Sequence, residues 1–460
     1  MDYVDFLLTP VYIFILYLFF RRMRKKYKDP LLQKYHRQGF WIKMFACVLF
    51  ILYYSYLTVG DSTVLYQNEG NNLYHLILHN SDNFKYLFKS GKEFDLSLVK
   101  TKGNEGYFRD EANYMVIRLD ALFSFISFGS YAVINLFFAS LAFSGLWKLY
   151  LFFYKQHPKL HKQFAISILY FPTLAFWSAG LLKDSLCIAA IGWLTYSLYE
   201  LLYKRRSILK NCILVFISAY FLVVLKVYIL LAYVPFFVLF IILKNAQGIR
   251  FKFLRYLFAP ALIALSVYSF TTILSSYNNE LGAYAVEDLT TSISHLNEVL
   301  EGRTGREDAA SNFSLGVPYD GTFNGLIKIA PVAVATTFFR PFLWEAHKAS
   351  QLMAAFESLA MMFFTLFILI KTGVFTFFKL VLKDPLIMYC FLFSVVFGLF
   401  VGASTLNFGT LVRYKIPCLP FYTISLFLIY EKVKERSAKK KKQIPAAVDA
   451  GILIQNPALS

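Results

Sequence analysis

The chain has 460 residues, of which 58% are hydrophobic and only 16% charged, and its mean hydropathy is +0.52. Soluble domains contain about 45–50% apolar and 25% charged residues, so this composition excludes an ordinary soluble enzyme. The net charge of +19 does not indicate nucleic-acid binding, because the basic residues cluster beside apolar runs and form no polar face with interleaved aromatic residues.

Apolar runs long enough to cross about 30 Å of hydrocarbon predict an all-α, polytopic transmembrane helical bundle of about eleven spans. The segment 210–243 is divided in two, because one helix of that length would extend about 51 Å and Lys226 lies at its middle. The predicted spans are 4–20, 41–59, 130–153, 164–180, 186–203, 210–225, 228–243, 256–274, 349–370, 385–402 and 416–430.

The orientation follows from the positions of charged residues around the first span. Asp2 and Asp5 lie at its N-terminal end, whereas a basic cluster from Arg21 to Lys26 follows it. The positive-inside rule therefore places the N-terminus outside, and alternation of the spans places the C-terminus in the cytoplasm. Residues 1–432 are predicted to form a single membrane domain. Residues 433–460, which include four consecutive lysines, are predicted to be a basic cytoplasmic tail without fixed structure.

Two long loops, 60–129 and 275–348, fall on the outer side in this topology. Within the first, 112–128 is weakly amphipathic and is expected to lie along the membrane surface, with Arg118 and Asp120 among the headgroups. Within the second, the apolar run 325–344 cannot be a full span without inverting both neighbours. We therefore expect a re-entrant or interfacial helix there, with its polar groups lining a cavity.

Ionisable residues at membrane depth are costly and usually functional. In the predicted topology eight of them lie at or just below the outer face, although they are spread over more than 350 residues. Five cations would form a concavity suited to phosphate or pyrophosphate, and three carboxylates are candidates for a catalytic base or for ligands of a divalent cation. The cations are Lys183, Lys226, Arg340, Arg413 and Lys415, the carboxylates are Asp61, Asp184 and Glu345, and the neighbouring Tyr228 and Trp344 are further substrate-binding candidates.

Each of these residues also has a structural explanation. Lys183 and Asp184 can pair at a hairpin turn, and Lys226 can extend its amine to the outer headgroups. Arg413 and Lys415 can serve as an interface anchor, and Asp61 can be the first solvated residue of its loop. The five cysteines lie inside or beside apolar runs without a Cys-x-x-Cys pair, which indicates packing and not metal binding.

Nucleotide-binding and common hydrolase motifs are absent from the sequence. It contains no Walker-type glycine loop, no dinucleotide fingerprint after a strand, no HExxH and no GxSxG. The predicted cytoplasmic connections are short and basic. A substrate is therefore expected to arrive at the outer face or through the membrane, and a lipid-linked substrate satisfies both conditions.

Three features resemble known membrane enzymes. Gly60-Asp61-x-x-x-x-Tyr66 after an early span, followed by a long outer loop with a surface helix, resembles the GT-C class of integral-membrane glycosyltransferases. That resemblance implies that Asp61 is the catalytic base and that the sugar donor is a polyprenyl-phosphate lipid. FPTLAFWSAGLLKDS, FFRPFLWEA and NFGTLVRYKIPCLPF resemble segments of bacterial surface-polysaccharide assembly proteins, including O-antigen polymerase-like proteins, which are Arg-dependent and bind lipid pyrophosphates.

The sequence thus predicts a glycosyltransferase at the outer face of a bacterial inner membrane, acting in surface-polysaccharide assembly. Asp61 would deprotonate the acceptor hydroxyl while the Lys and Arg residues hold the polyprenyl-phosphate- or pyrophosphate-linked glycan. An O-antigen-type polymerase, or a transporter of lipid-linked glycans or other anionic substrates, remain alternatives. Membrane lipids are the only other expected partners. The absence of a recognisable internal repeat favours an enzyme over a transporter.

Overall fold

The computed structural model describes residues 3–99, 105–245, 313–316, 323–405 and 407–452, together with a few positions between 260 and 268. Every regular secondary-structure element within this part of the chain is a helix, which confirms the all-α prediction. The predicted span 256–274 and most of the loop 275–348 lie outside the described residues.

The α-helices of the described residues number sixteen and are labelled in chain order. Short π-helical turns, Tyr53–Leu57 and Asp61–Gln67, separate the second helix from the third. The helices are α1 (Tyr3–Arg24), α2 (Pro30–Leu52), α3 (Asn68–His79), α4 (Glu105–Arg109), α5 (Glu111–Ser127), α6 (Tyr131–Gln156), α7 (His161–Ile168), α8 (Pro172–Trp177), α9 (Lys183–Tyr199), α10 (Ile208–Asn245), α11 (Phe323–Phe339), α12 (Ala349–Thr372), α13 (Val374–Lys383), α14 (Pro385–Ser404), α15 (Phe408–Tyr414) and α16 (Leu419–Ile452).

Several of these helices are apolar enough for a membrane protein. Among the described residues, seven are long and apolar enough to cross a bilayer, or eight if the bent pair α15 and α16 forms one span. The predicted count of about eleven spans is not confirmed. The difference lies in the predicted span 256–274, which is mostly not described, and in two segments where the backbone breaks.

The first break lies between α6 and α9, which pack in parallel. Asn135 near the start of α6 accepts a hydrogen bond from Leu181, just before α9, and Lys155 near the end of α6 pairs with Glu200 at the end of α9. The connection 157–182 therefore returns along the length of the bundle. The segment 164–180, predicted as one span, is therefore not one continuous helix, because Pro172 cannot continue α7 and instead starts the short helix α8.

The parallel packing of α6 on α9 requires two glycines. A Cβ atom on Gly192 would lie 1.9 Å from the carbonyl oxygen of Gly145, so neither helix can approach this closely with a larger residue. Close backbone contact through small residues is the usual way in which membrane helices pack. This contact fixes the helix whose first turn carries Lys183 and Asp184.

The second break lies at Lys226, at the point where the sequence analysis divided 210–243. Its backbone is non-helical (φ −156°, ψ 75°) within the otherwise continuous α10. Beyond it, the Tyr233 hydroxyl lies 2.7 Å from Thr195 on α9, and Lys244 reaches Gln156 at the end of α6. The second half of α10 thus runs alongside α9 and begins at the same level as Asp184.

The described residues between 61 and 129 form a helical unit in which α3 packs against α5. Placement of Arg118 and Asp120 among headgroups is wrong, because both side chains are buried in the protein. Arg118 bonds to the Lys89 carbonyl and to Glu111, and Asp120 lies against Gly70, where a Cβ atom would be 2.1 Å from its Oδ2. The polar residues of α5 therefore face α3 and the loop after it, and not the headgroups.

The C-terminal half contains the helices that complete the site. The apolar run expected to be re-entrant or interfacial forms α11, a helix of 17 residues, which is shorter than the roughly 20 that usually cross a bilayer. Helices α15 and α16 meet at a bend of 62°, where Pro417 and Pro420 lack the amide hydrogens that a continuous helix needs. Helix α16 continues to Ile452, where a tail without fixed structure was expected from residue 433, because Ala, Lys and Glu favour helix.

Candidate functional site

Four charged residues from distant parts of the chain form one ion-paired network. Lys226 Nζ lies 2.6 Å from Asp184 Oδ1, and Arg413 places Nε and Nη2 each 3.3 Å from Asp184 Oδ2. Arg413 also donates from Nη1 to Asp61 Oδ2 at 3.2 Å. We call Asp61, Asp184, Lys226 and Arg413 the Asp184 network.

Backbone irregularities bring Asp184 and Lys226 together. The chain is unwound just before α9, and Asn135 accepts the amide of Leu181 at 2.8 Å in this stretch. Gly180 has no room for a side chain, since a Cβ atom would lie 2.0 Å from the Phe50 ring. Asp184 occupies the first turn of α9, where a negative charge is favoured by the helix dipole. Lys226 faces it from the break in α10.

Arg413 is supplied by the short helix α15. Asn407 caps this helix by accepting the amides of Gly409 and Thr410 at 2.8 and 3.3 Å. The guanidinium carbon of Arg413 lies 5.6 Å from the ring centroid of Trp177. Next to it, the ring of Tyr414 lies 3.9 Å from Lys226 Nζ. Aromatic rings therefore cover both cations on the sides that the carboxylates leave open.

The network extends from a buried end to an accessible one. The side-chain exposure is 2% for Asp184, 8% for Lys226, 20% for Arg413 and 43% for Asp61. Asp61 Oδ1 has no hydrogen-bond partner among the described residues. Asp61 is thus an accessible carboxylate oriented by a cation, whereas Asp184 has both oxygens occupied and holds the two cations in place.

Residues of the loop 60–129 flank this accessible end. Lys183 lies 3.4 Å from Asp110, which also caps α5 by accepting the amide of Ala112. The Tyr66 hydroxyl donates to Asn113, and burial together with the nearby Asp61 carboxylate raises the pKa of Tyr66 well above its usual value. Tyr66 therefore remains protonated as a donor. Asp110 was missed from the sequence because it lies outside any apolar run.

Arg340 belongs to a second cluster. Its Nε lies 3.1 Å from both oxygens of Glu345, and its guanidinium carbon lies 4.5 Å from the ring centroid of Phe313 and 5.1 Å from that of Phe408. Buried Lys415 donates to the Arg340 carbonyl at 2.8 Å and to Ser358 at 2.9 Å. We call Arg340, Glu345 and Lys415 the Arg340 cluster. Residues 408–415 connect it to the Asp184 network, because they contribute Phe408, Arg413 and Lys415.

The two aromatic candidates lie at different depths. Trp344 is 77% exposed and stacks on Phe342, with ring centroids 4.9 Å apart. Tyr228 is half-buried and stacks on Phe397 at 5.9 Å, two residues after Lys226. Trp344 is therefore accessible to a ligand at the protein surface, whereas Tyr228 forms part of the packing around the break in α10.

The charges of the site are balanced, in contrast to the expected cationic concavity. Lys183, Lys226, Arg340 and Arg413 each pair with a carboxylate, and Lys415 is bonded to a carbonyl and a hydroxyl. A buried cation without such partners would be strongly destabilising, which explains the pairing. An incoming phosphate must therefore compete with a carboxylate for Arg413, and Asp61 is the accessible competitor.

Two ionisable residues that hold α8, the partly buried Glu357 and the buried Lys43, escaped the sequence analysis. Glu357 accepts hydrogen bonds from the amide of Thr173, at 2.7 Å, and from its hydroxyl. Lys43 donates to the Ala175 carbonyl at 2.9 Å and to the Ser178 hydroxyl at 2.7 Å. An acidic side chain thus lies at the N-terminus of α8 and a lysine at its C-terminus, which is the arrangement that the helix dipole favours. Glu357 lies within the predicted span 349–370, so the rule for ionisable residues at membrane depth would have found it.

Within the described residues, no group of three or more His, Cys, Asp and Glu side chains is arranged to hold a metal ion. Comparison of the chain with protein-family models, with curated proteins and with solved structures finds no match. The functional argument therefore depends on the geometry of the Asp184 network and the Arg340 cluster.

Proposed function

We propose that the protein is a membrane-embedded glycosyltransferase that takes a sugar from a polyprenyl-phosphate-linked donor at the outer face of a bacterial inner membrane, in surface-polysaccharide assembly. The observation that supports this best is the graded network from buried Asp184 to accessible Asp61. It combines an exposed carboxylate with an arginine that can bind phosphate, and both are held by residues distant in the sequence.

In the proposed reaction the donor phosphate binds Arg413 and displaces Asp61 from Nη1. Asp61 is then free to accept the proton of the acceptor hydroxyl while that oxygen attacks the anomeric carbon. The bond between the anomeric carbon and the phosphate oxygen breaks, and the electron pair leaves with the lipid phosphate beside Arg413. Asp184 and Lys226 have the role of keeping Arg413 oriented throughout.

The Arg340 cluster has a supporting role in this proposal. Glu345 holds Arg340 from one side, and the rings of Phe313 and Phe408 cover its guanidinium. Exposed Trp344 lies four residues after Arg340 and offers a flat apolar face to a sugar ring. Because residues 408–415 belong to both clusters, a glycan bound at Arg340 would lie close in the chain fold to the segment that carries Arg413.

A transporter of anionic lipid-linked substrates is the second candidate, and one observation favours it. The break at Lys226 and the short helix α8 are discontinuous helices of the kind that form transporter binding sites. A transporter would use Arg413 for binding and would need no base. The two candidates therefore differ in what they require of Asp61.

The decisive experiment compares binding by the purified Asp61→Asn and Arg413→Gln proteins with turnover by the same variants in cells. The binding probe is a short-chain polyprenyl monophosphate, and turnover is restoration of the cell's glycan in a deletion strain. Arg413→Gln should weaken binding at least about tenfold, because a charge-assisted partner of phosphate is lost. Asp61→Asn should bind at least as tightly as wild type, since it removes the competitor of phosphate.

Turnover by Asp61→Asn separates enzyme from transporter. Loss of a general base typically lowers a rate by about 10²–10⁴, so the variant should not restore the glycan although it binds the probe. Full restoration at normal expression would reject Asp61 as the base and favour the transporter. Unchanged binding in Arg413→Gln would reject the phosphate site itself. Arg22→Gln, which changes an exposed cation far along the chain, is the control.

A further inference from the structure

Two adjoining surface depressions lie where α1 turns into α2, at the end of α2 that is away from Asp61. One has a volume of about 230 Å³ and is lined by Arg24, Lys34 and Arg37, among others. The other has a volume of about 320 Å³ and continues from Arg37 to Trp41, Ile42 and Tyr170. Arg37 lines both, and we call the pair the Arg37 cavity. Both are shallow and open to the surface, so a ligand bound there would lie in a surface groove.

The cations in the basic half of the Arg37 cavity lack ion pairs within the described part of the chain. None of Arg24, Lys34 and Arg37 forms an ion pair with a carboxylate among the described residues. The nearby carboxylate of Asp29 accepts the amide of Leu31 and the hydroxyl of Tyr154, so it is engaged in capping α2. Three converging cations are therefore open to an anion, whereas the cations of the Asp184 network are already paired.

The other half of the cavity is aromatic and apolar. Trp41 is 46% exposed and stacks on Tyr17 of α1 with ring centroids 5.5 Å apart, and the Tyr170 hydroxyl donates to Gln38 to close the wall. Arg37 and Trp41 are four residues apart on α2 and so share one helix face, about 6 Å apart along the axis. A ligand that spans both must carry its charge next to an apolar chain.

The position of the cavity fits the edge of a bilayer. Helix α1 is apolar and mostly exposed, and it ends in Arg21, Arg22 and Arg24. Its apolar surface needs lipid around it, so the headgroup level lies near this basic turn. A tryptophan one turn deeper than an arginine is the arrangement expected at that boundary.

We propose that the Arg37 cavity binds one anionic phospholipid, with the headgroup phosphate between Arg24, Lys34 and Arg37 and the first part of an acyl chain against Trp41 and Ile42. The choice of a lipid over free phosphate follows from the apolar half of the cavity, which inorganic phosphate cannot occupy. The choice of an anionic over a zwitterionic headgroup follows because, among the described residues, none of the three cations that line the cavity is paired with a carboxylate. This site is independent of the proposed glycosyl transfer.

Native mass spectrometry of the full-length protein in detergent tests this proposal, with phosphatidylglycerol, phosphatidylcholine and inorganic phosphate as the three probes. Wild-type protein should retain one phosphatidylglycerol more tightly than phosphatidylcholine. Arg37→Gln should weaken that first binding event about tenfold, because it removes a charge-assisted contact shared by both halves. Arg22→Gln makes the same charge change at the nearby end of α1 but does not line the cavity, and should change binding less than twofold.

Three results would overturn the proposal. Equal weakening by Arg22→Gln and Arg37→Gln would indicate general attraction to a basic surface. Displacement of phosphatidylglycerol by equimolar inorganic phosphate would indicate a simple anion site. Retention of phosphatidylcholine as tightly as phosphatidylglycerol would contradict the role of the cations. If Arg37→Gln does not fold, Arg24→Gln on the opposite wall carries the same expectation, and Trp41→Ala should reduce lipid binding without affecting binding of phosphate.

Discussion

The Asp184 network makes a quantitative prediction about stability. Asp184→Asn keeps the shape of the side chain but removes the charge shared by Lys226 and Arg413. Arg413 keeps Asp61 at 3.2 Å, whereas Lys226, whose side chain is only 8% exposed, has no other carboxylate within ion-pair distance among the described residues. The cost is therefore that of one unpaired buried cation, about 3–5 kcal/mol of unfolding free energy.

The reciprocal change should cost less. Lys226→Met leaves Asp184 with both hydrogen bonds from Arg413, so we expect a loss of about 1.5–3 kcal/mol. The double variant should be more stable than Asp184→Asn alone, because no buried Lys remains unpaired. Lys432→Met, which breaks a more exposed pair with Asp384, is the matched control and should cost at most about 1 kcal/mol.

Denaturation of the four purified variants in one detergent provides the assay, as a double-mutant cycle on Asp184 and Lys226. The expected order of stability, from the highest, is wild type and Lys432→Met, then Lys226→Met, then Asp184→Asn. The double variant should be more stable than Asp184→Asn, so that its loss of stability is smaller than the sum of the two single losses. If Asp184→Asn unfolds together with wild type, or if the two single losses simply add, the ion network does not exist as described.

Three further predictions concern other parts of the fold. Burial raises the pKa of Asp120 well above the value near 4 of an unfolded Asp, so the stability of the protein should fall as pH rises from the unfolded pKa to the folded pKa. Asp120→Asn should be more stable than wild type at pH 8, and its stability should depend less on pH. A lower melting temperature for Asp120→Asn than for wild type at pH 8 would contradict this. Glu357→Ala should lose about 1–3 kcal/mol of unfolding free energy and Glu357→Gln less, because Gln can still accept the amide of Thr173. Equal melting temperatures for the two variants would show that this hydrogen bond at the start of α8 does not stabilise the protein. Arg340→Ala should weaken both binding of a lipid-linked donor and turnover, and unchanged donor retention would exclude the Arg340 cluster from the site.

The sequence predicted the helical class because apolar runs without charges have few other structural solutions. It also located the break in α10, since a buried lysine in the middle of an overlong helix requires a partner and a turn. Asp61, Asp184, Lys226 and Arg413 were singled out one by one as ionisable residues near membrane depth. That these four form one network is a property of the tertiary structure, because no local pattern relates residues 61, 184, 226 and 413.

The predictions that differ from the structure share a cause. Periodicity treats each helix as if it faced lipid or solvent, whereas α5 packs against α3 and buries Asp120. Hydropathy treats 164–180 as one span, whereas Pro172 and Gly180 divide it into shorter elements. Counting cations predicted a positive concavity, whereas pairing with Asp110, Asp184 and Glu345 neutralises it. Partners from other elements decide each of these cases.

The most direct test of the proposed function is the set of lipid-linked glycans in cells that lack the gene. Mass spectrometry of polyprenyl-phosphate- and pyrophosphate-linked lipids should show one glycan that accumulates in the deletion strain and disappears when the wild-type gene is restored. The same lipid should persist with Asp61→Asn, which keeps the binding site but lacks the base. An unchanged profile of lipid-linked glycans in the deletion strain would contradict the assignment of the protein to glycan assembly.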